Sequence, residues 1–332
     1  MGALGFTKAR SMGPVAEAVA RAGGSVARVF RKAELPLRLI DEPEQLILLR
    51  DQLALVEHAA RELDDEALPL RLSMQAGMEG LGLFGLRVKK APTLFDAIER
   101  CNCGMESMLQ SMTHMSLTRC GARLAAWTYE VCDDVPVGRQ KNELLAFGYM
   151  VEALKRFGAG APLRATLPQK PPARAALEDI LGCEVVAGEK AALIFSAELL
   201  RNQNPTGADP IDRRVDDLPA PDDFSASVEH LIRLALLERR PTIDYVRRRL
   251  ALSARSLQRR LSSEGESFEA IRRRVLLAKA RTLLAARDAP ITRIAYELGY
   301  SDAAHFSRAF SAWTGESPRA WRRGALGAVR EM

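Results

Sequence analysis

The chain is poor in the residues that most often announce a chemistry. Its 332 residues hold five cysteines, four histidines and only 6% aromatics. An odd number of cysteines, in a long chain whose Met1–Lys8 segment lacks a signal-peptide apolar region, reads as reduced cytosolic thiols and a cytoplasmic location. Cys101, Cys103, Cys120 and Cys132 do not fall into the two short pairs that tetrahedral zinc requires. His58, His114, His230 and His305 form no ligand cluster. No metal and no cofactor is therefore expected, and no cofactor-binding residue is nominated. No stretch approaches the roughly 18 uncharged apolar residues of a membrane span, so no membrane partner is expected. Met1-Gly2 is too short a match to argue myristoylation. Neither a Gly-rich phosphate loop nor a Gly-x-Ser-x-Gly nucleophile elbow is present. No catalytic residue is nominated, and the chain is read as something other than an enzyme.

What is present is a lopsided charge. The whole chain carries 48 Lys and Arg against 42 Asp and Glu. From Asp222 onward there are 21 basic and 13 acidic residues, a net of +8, whereas residues 1–221 hold 27 and 29, a net of −2. A basic surface kept for solubility would not segregate in this way. Positive charge confined to one end is the footprint of a phosphate-backbone partner, a nucleic acid.

That basic end contains one nine-residue pattern twice, at Ser253–Leu261 and Asp302–Phe310, 49 positions apart. Each copy opens on a helix N-cap residue. Each has large apolar residues at its fifth and ninth positions, Leu257 and Leu261 in one and Phe306 and Phe310 in the other, an i, i+4 pair for a core. Each has an outward Arg at its seventh, Arg259 or Arg308. Thr242 predicts the cap of a short helix before the first copy, and Thr292 the cap of one before the second, with Gly299 in the turn. Helix, tight turn, helix is the arrangement that sends a second helix into the major groove. A helix from about Ser267 to Ala286 joins the two units, with Phe268, Ile271, Val275, Leu276, Ala278 and Leu283 on its buried side. It would span roughly 30 Å, close to the ~34 Å of one B-DNA turn. One chain could then read two successive grooves. The expected readers are Arg255, Ser256, Gln258 and Arg259 on the first helix and Ala304, His305, Ser307 and Arg308 on the second. Arg suits guanine and Gln suits adenine, so the first helix carries more hydrogen-bonded readout. Arg247–Arg249 and Arg272–Arg274 are less specific, some on phosphates and some solvated. Gly315-Glu316-Ser317-Pro318 predicts one last turn of helix.

The first 210 residues read as mixed α+β. Helices are predicted over 14–34, over a run through Leu46, Leu49, Leu53, Val56 and Ala60 capped at Asp41–Glu44, over Leu94 to Ser111, Asn142 to Phe157 and Ala173 to Leu181. Strands are predicted within Leu117–Cys132, at Leu163–Leu167 and at Ala191–Phe195. Met105, Met108, Met112 and Met115 stand at helical spacing, as core or as an adaptable pocket wall. Cys101 and Cys103, two apart on a helix, should diverge. The expected fold is an α+β N-terminal sensor domain and an all-α C-terminal domain with two helix-turn-helix units joined by a long helix. Its divisions are a flexible 1–12, an effector-sensing domain over 13–205, a Pro-rich linker over 206–224, a DNA-binding domain over 225–325 and a tail over 326–332.

Residues 225–325 resemble the AraC/XylS family of bacterial transcription regulators. The resemblance rests on Leu252–Leu261, Gly265, Phe268, Ala278–Arg281, Leu283-Leu284, Ile291, Ile294-Ala295, Leu298–Asp302, His305–Phe310, Trp313, Gly315 and Ser317-Pro318. It departs from the family at Arg247, where a small residue is usual, and at Ala251, where the turn usually has Gly. Pro136–Arg139 with Asn142-Glu143, Leu181–Val185, Phe195 and Leu199-Leu200 resemble the arabinose-binding-type sensor of the ornithine-utilisation-regulator branch. The resemblance implies a ligand-responsive regulator, an activator by preference, with promoter DNA, RNA polymerase, an unidentified small-molecule effector and a second copy of itself as partners. Two alternatives stand beside it. One is a thiol-redox regulator acting through Cys101 and Cys103. The other is a DNA-repair enzyme on the same DNA reader, for which the Pro-Cys-His site of Ada-type methyltransferases is missing.

Overall fold

The computed structural model describes residues 4–132, 135, 137–210, 218, 220, 223–238, 241–286 and 289–328, in two compact units divided between Asp222 and Asp223. Most of the 206–224 linker, Pro136 of the sensor motif, Asp288 and residues 329–332 lie outside the described residues.

In the first unit the elements run β1 (Phe6–Lys8), α1 (Val15–Arg21), α2 (Val26–Lys32), β2 (Leu46–Leu48), α3 (Leu49–Glu62), α4 (Leu68–Ala76), α5 (Gly82–Lys89) and α6 (Leu94–Gly104). They continue as β3 (Thr113–Cys120), β4 (Leu124–Val131), α7 (Arg139–Arg156), β5 (Arg164–Leu167), α8 (Arg174–Leu181), β6 (Glu184–Ala187) and β7 (Ala191–Ser196). β1 and β2 form a small antiparallel pair. The other five strands make one sheet in the order β3-β4-β7-β5-β6, antiparallel except for β5 and β6, which α8 connects in parallel. Buried Ala125, Trp127, Tyr129 and Val131 of β4 alternate along its strand, the period-2 pattern of a half-buried strand. α7 packs against β4, β7, α3 and α4.

The α+β architecture agrees with the sequence reading, but several elements differ from it. The segment read as flexible, 1–12, contains β1, whose three residues are all buried. A strand of three residues is too short to show a period. The helix expected over 14–34 is two helices, because the Gly23-Gly24 pair ends one and the Ser25 hydroxyl caps the next by accepting from the Arg28 N–H at 3.3 Å. The capped start at Asp41–Glu44 is absent. Leu46–Leu48 pair with β1 and only then does α3 begin. α4, α5 and β6 were not foreseen. The four methionines do not share one helix: Met105 and Met108 lie in a π-helical turn over Met105–Leu109, Met112 has φ +56°, and Met115 sits on β3.

The second unit is helical throughout its described residues: α9 (Phe224–Leu237), α10 (Ile243–Arg249), α11 (Ala254–Ser263), α12 (Phe268–Ala285), α13 (Ile291–Glu297), α14 (Ala303–Thr314) and α15 (Pro318–Ala328). On α12 the buried stripe passes through Leu276, Ala280 and Leu284, at i, i+4 steps, while Ala278 is exposed and Leu283 half-buried. The expected face is out of phase with the buried one in the last two turns, by two residues at Ala278 and by one at Leu283. Thr292 is not a cap. Pro290 precedes the first residue of α13, and Thr292 lies inside it. The last turn of helix is instead an 11-residue helix, reaching into the expected tail.

Candidate nucleic-acid interface

Both copies of the repeat are helices, α11 and α14, and each is preceded by a short helix packed on it, α10 and α13. The caps form as the repeat predicts. The Ser253 hydroxyl accepts from the Ser256 N–H at 3.0 Å, and an Asp302 carboxylate oxygen accepts from the His305 N–H at 2.7 Å. The backbone bond lowers the Asp302 pKa, so the cap stays charged at neutral pH, opposite the positive end of the α14 dipole. Leu257, Leu261, Phe306 and Phe310 are each 0% exposed. They are the anchors that fix which face each helix turns outward. Phe306 and Phe310 also meet ring to ring, with Trp321 of α15 edge-on to Phe310.

The turns are closed alike. Ala251 and Leu252 donate to the carbonyls of Arg248 and Arg247, and Gly299 and Tyr300 to those of Tyr296 and Ala295. Both turns need a left-handed residue, Gly299 at φ +83° and Ala251 at φ +52°. Alanine there costs roughly 1–2 kcal/mol of backbone strain, whereas glycine costs about 0.5–1 kcal/mol in lost chain entropy. Ala251→Gly should therefore stabilise the second unit by about 0.5 kcal/mol, a rise of roughly 2–4 °C in its melting midpoint. A calorimetric scan showing a lower midpoint would refute that reading of the turn. The matching backbone bonds place Arg247 opposite the buried Ala295. Arg247 reaches the surface instead and pairs with Asp244 at 2.6 Å.

Arg255, Gln258, Arg259, Ala304, His305 and Arg308 are exposed, and Ser256 and Ser307 half-buried. Among the described residues the side chains of Arg255, Arg259 and Arg308 make no hydrogen bond or ion pair. Their donors are unspent. Both serines are partly committed. The Ser256 hydroxyl meets that of Ser253 at 2.9 Å, and the Ser307 hydroxyl donates to the Ala303 carbonyl at 2.7 Å. His305 lies edge-on against Tyr300. Several neighbouring basic residues are otherwise employed. Arg260 covers the Phe224 ring at 4.2 Å, Arg272 pairs with Glu269, and Arg274 pairs with both Glu229 and Glu266. Arg249 is buried. Part of the formal charge is thus neutralised locally. Among the described residues α11 and α14 keep free guanidinium groups, as do Arg273 and Arg281 on α12, Arg293 on α13 and Arg319 and Arg323 on α15. α12, 18 residues long, extends about 27 Å at 1.5 Å per residue, a separation of the order of one DNA turn.

The cysteines nominated as a thiol sensor stand apart. Cys101 is buried, its thiol pushed up to about 12 by burial, while Cys103 is exposed. They diverge on α6 as the i, i+2 spacing requires, so they do not form a dithiol pair. Among the described residues no group of three His, Cys, Asp or Glu could hold a metal ion, and no helix is long and apolar enough to cross a membrane.

The chain is similar to known proteins over both units. Residues 23–204 match the family model of the arabinose-binding domain of AraC transcription regulators, N-terminal, and residues 246–324 match a helix-turn-helix domain. The HTH-type transcriptional regulator VirS of Mycobacterium tuberculosis is 25% identical over 305 residues, 88% of this chain and 89% of VirS. The ornithine utilization regulator of Pseudomonas aeruginosa is 32% identical over 122 residues, 36% of each chain. The crystal structure of the transcriptional regulator CdpR from Pseudomonas aeruginosa aligns over 78% of this chain and 87% of its own, at 22% identity and a TM-score of 0.37.

Proposed function

The chain belongs to the AraC family of transcription regulators, and from that premise we propose that it is a metabolite-responsive activator that reads promoter DNA through α11 and α14. It is a DNA-binding regulator and not an enzyme. The base readers are Arg255, Ser256, Gln258 and Arg259 in one groove and Ala304, His305, Ser307 and Arg308 in the next. The observation that carries this assignment is the unspent guanidinium groups of Arg255, Arg259 and Arg308 on two helices capped and anchored alike. The remaining outward residues of α14 are small or uncharged, so α11 supplies most of the hydrogen-bonded readout and α14 mainly shape and thymine-methyl contacts. The first unit holds a small-molecule effector. An effector shifts the regulator only to the extent that it binds one state of the chain better than another. A second copy of the chain and RNA polymerase complete the assembly at the promoter.

Genome-wide footprinting of the purified protein tests the reading. A few sharp sites are expected, each with two half-elements about one helical turn apart, and Arg259→Ala and Arg308→Ala should each weaken one half-element. Diffuse, salt-sensitive binding indifferent to both substitutions would leave a basic surface without a sequence reader.

A further inference from the structure

The first unit contains a buried cavity of about 40 Å³ between α3, α6, α7 and β4. None of its lining residues is charged. Its apolar wall includes Phe84, Trp127, Leu145 and four methionines, Met78, Met105, Met115 and Met150. Its polar wall includes buried Ser11, Gln52, Gln110, Tyr129 and Asn142, and these form a ring with buried Thr7, which does not itself line the cavity.

The direction of the bonds in that ring is informative. The Ser11 hydroxyl, which has the Lys8 carbonyl at 2.7 Å, stands 3.2 Å from Gln52 Oε1; Gln52 Nε2 donates to Asn142 Oδ1 at 3.2 Å, and Asn142 Nδ2 to the Tyr129 hydroxyl oxygen at 2.6 Å. From the other side Thr7 donates to Gln110 Oε1 at 3.4 Å, and Gln110 Nε2 donates to the same Tyr129 oxygen. The Thr7 and Ser11 hydroxyls meet at 2.7 Å, one donating to the other, and so link the two arms; the one hydrogen on each cannot also serve all its longer contacts. Tyr129 therefore accepts twice, and no described residue takes its own hydrogen. Burial raises its pKa, so that hydrogen stays on the oxygen. Tyr149, also lining the cavity and 8% exposed, has a hydroxyl with no hydrogen-bond partner among the described residues. A buried hydroxyl hydrogen without an acceptor is costly, so a ligand oxygen placed here would restore stabilisation.

We propose that this cavity is the effector site, and that its ligand is a small, uncharged, largely apolar molecule carrying a carbonyl or ether oxygen that accepts from Tyr129. The proposal rests on the effector-responsive reading above and adds the ligand's chemistry to it. An ionised amino acid is excluded by the uncharged walls, because a buried charge needs a partner. A sugar is excluded because its several hydroxyls would meet mostly thioether and hydrocarbon. The void has room for about three waters, so the ligand must displace wall side chains. Methionine is unbranched and polarizable and repacks at little cost. The wall is irregular in its backbone as well. Met105–Leu109, which brings Met105 and Leu109 to the wall, is a π-turn, a feature that gathers at functional sites.

The chain has three tryptophans, Trp127, Trp313 and Trp321. In the full-length Trp313→Phe/Trp321→Phe protein, fluorescence reports on Trp127 alone. Acetophenone and cyclohexanone, as neutral carbonyl probes, are expected to change it saturably and to raise the melting midpoint. Benzoate, L-arabinose and L-ornithine should bind at least roughly tenfold more weakly. Ala146→Leu, which fills the cavity, should weaken acetophenone by at least about tenfold. Tyr129→Phe should do the same where it folds, and Ala146→Leu decides where it does not. No saturable response to either ketone overturns the proposal. So does a ketone response untouched by Ala146→Leu, or a charged or sugar probe that matches the ketones. The same preparations are tested on footprinted DNA. Failure with the ketones while sequence-selective DNA binding persists removes the cavity assignment alone, whereas loss of selective DNA binding removes the regulator reading and leaves fluorescence to judge the cavity.

Discussion

Replacing Arg255 and Arg259 together by alanine is expected to lower affinity for a footprinted site by about 30-fold or more at fixed salt, while binding to unrelated duplex falls far less. Each bidentate guanidinium–base contact contributes roughly 1–3 kcal/mol of discrimination, and about 1.4 kcal/mol is one decade. The two residues stand four apart on α11, on one face, with no partner among the described residues to be lost with them. Affinity change therefore reports on DNA contact and not on folding. Arg272→Ala with Arg274→Ala is the control, since those side chains are held by Glu269, Glu229 and Glu266. That pair should cost less than about threefold in selectivity, because exposed ion pairs contribute little. Titrations on specific and random duplexes give the ratio. A ratio unchanged by the α11 double substitution, or lowered as much by the control, would move the readout off α11.

Gly148→Ala should destabilise the first unit by about 2 kcal/mol or more, although alanine is the better helix former by about 1 kcal/mol. α7 crosses α4 so closely at this point that a Cβ on Gly148 would stand 1.9 Å from Ser73 Oγ and 2.7 Å from the Leu70 carbonyl oxygen. Neither helix can yield without disturbing a packed core, and overpacking of this kind costs about 1–3 kcal/mol or more. A fall of roughly 4–8 °C in the first unit's melting midpoint follows. Ser73→Gly added to Gly148→Ala removes the hydroxyl and the Ser73 Cβ but leaves the Leu70 carbonyl, so it should recover only part of the loss. Denaturation followed through Trp127 measures both. Equal or greater stability in Gly148→Ala would mean that the two helices are free to separate here.

Much of the second unit was legible in the chain because its determinants are local. A cap at Ser253 or Asp302, an apolar pair four residues on and eight residues on, and a left-handed turn residue all act within about a dozen positions. That is the range over which helix periodicity and capping operate. The same locality explains the errors there. Pro290 sets the start of α13 through its fixed φ, and Thr292, two positions later, carries no weight. In the first unit α6, α7 and α8, and strands β4, β5 and β7, carried their own periods and were read with small shifts at their ends. β1 and β2 were not, because three residues show no alternation and each strand exists only by pairing with the other.

The sequence by itself determined the two capped recognition helices, their spacing and the sign of the charge around them, since each follows from neighbours along the chain. Only the tertiary structure decided which arginines are free and which are spent on Glu229, Glu266, Glu269 and the Phe224 ring. It also decided that Thr7, Ser11, Gln52, Gln110, Tyr129 and Asn142 form one hydrogen-bonded ring, five of whose members line a cavity. Those contacts join residues up to 103 positions apart, Thr7 to Gln110. A hydrogen bond depends on distance and angle in space, and no pattern along the chain records it.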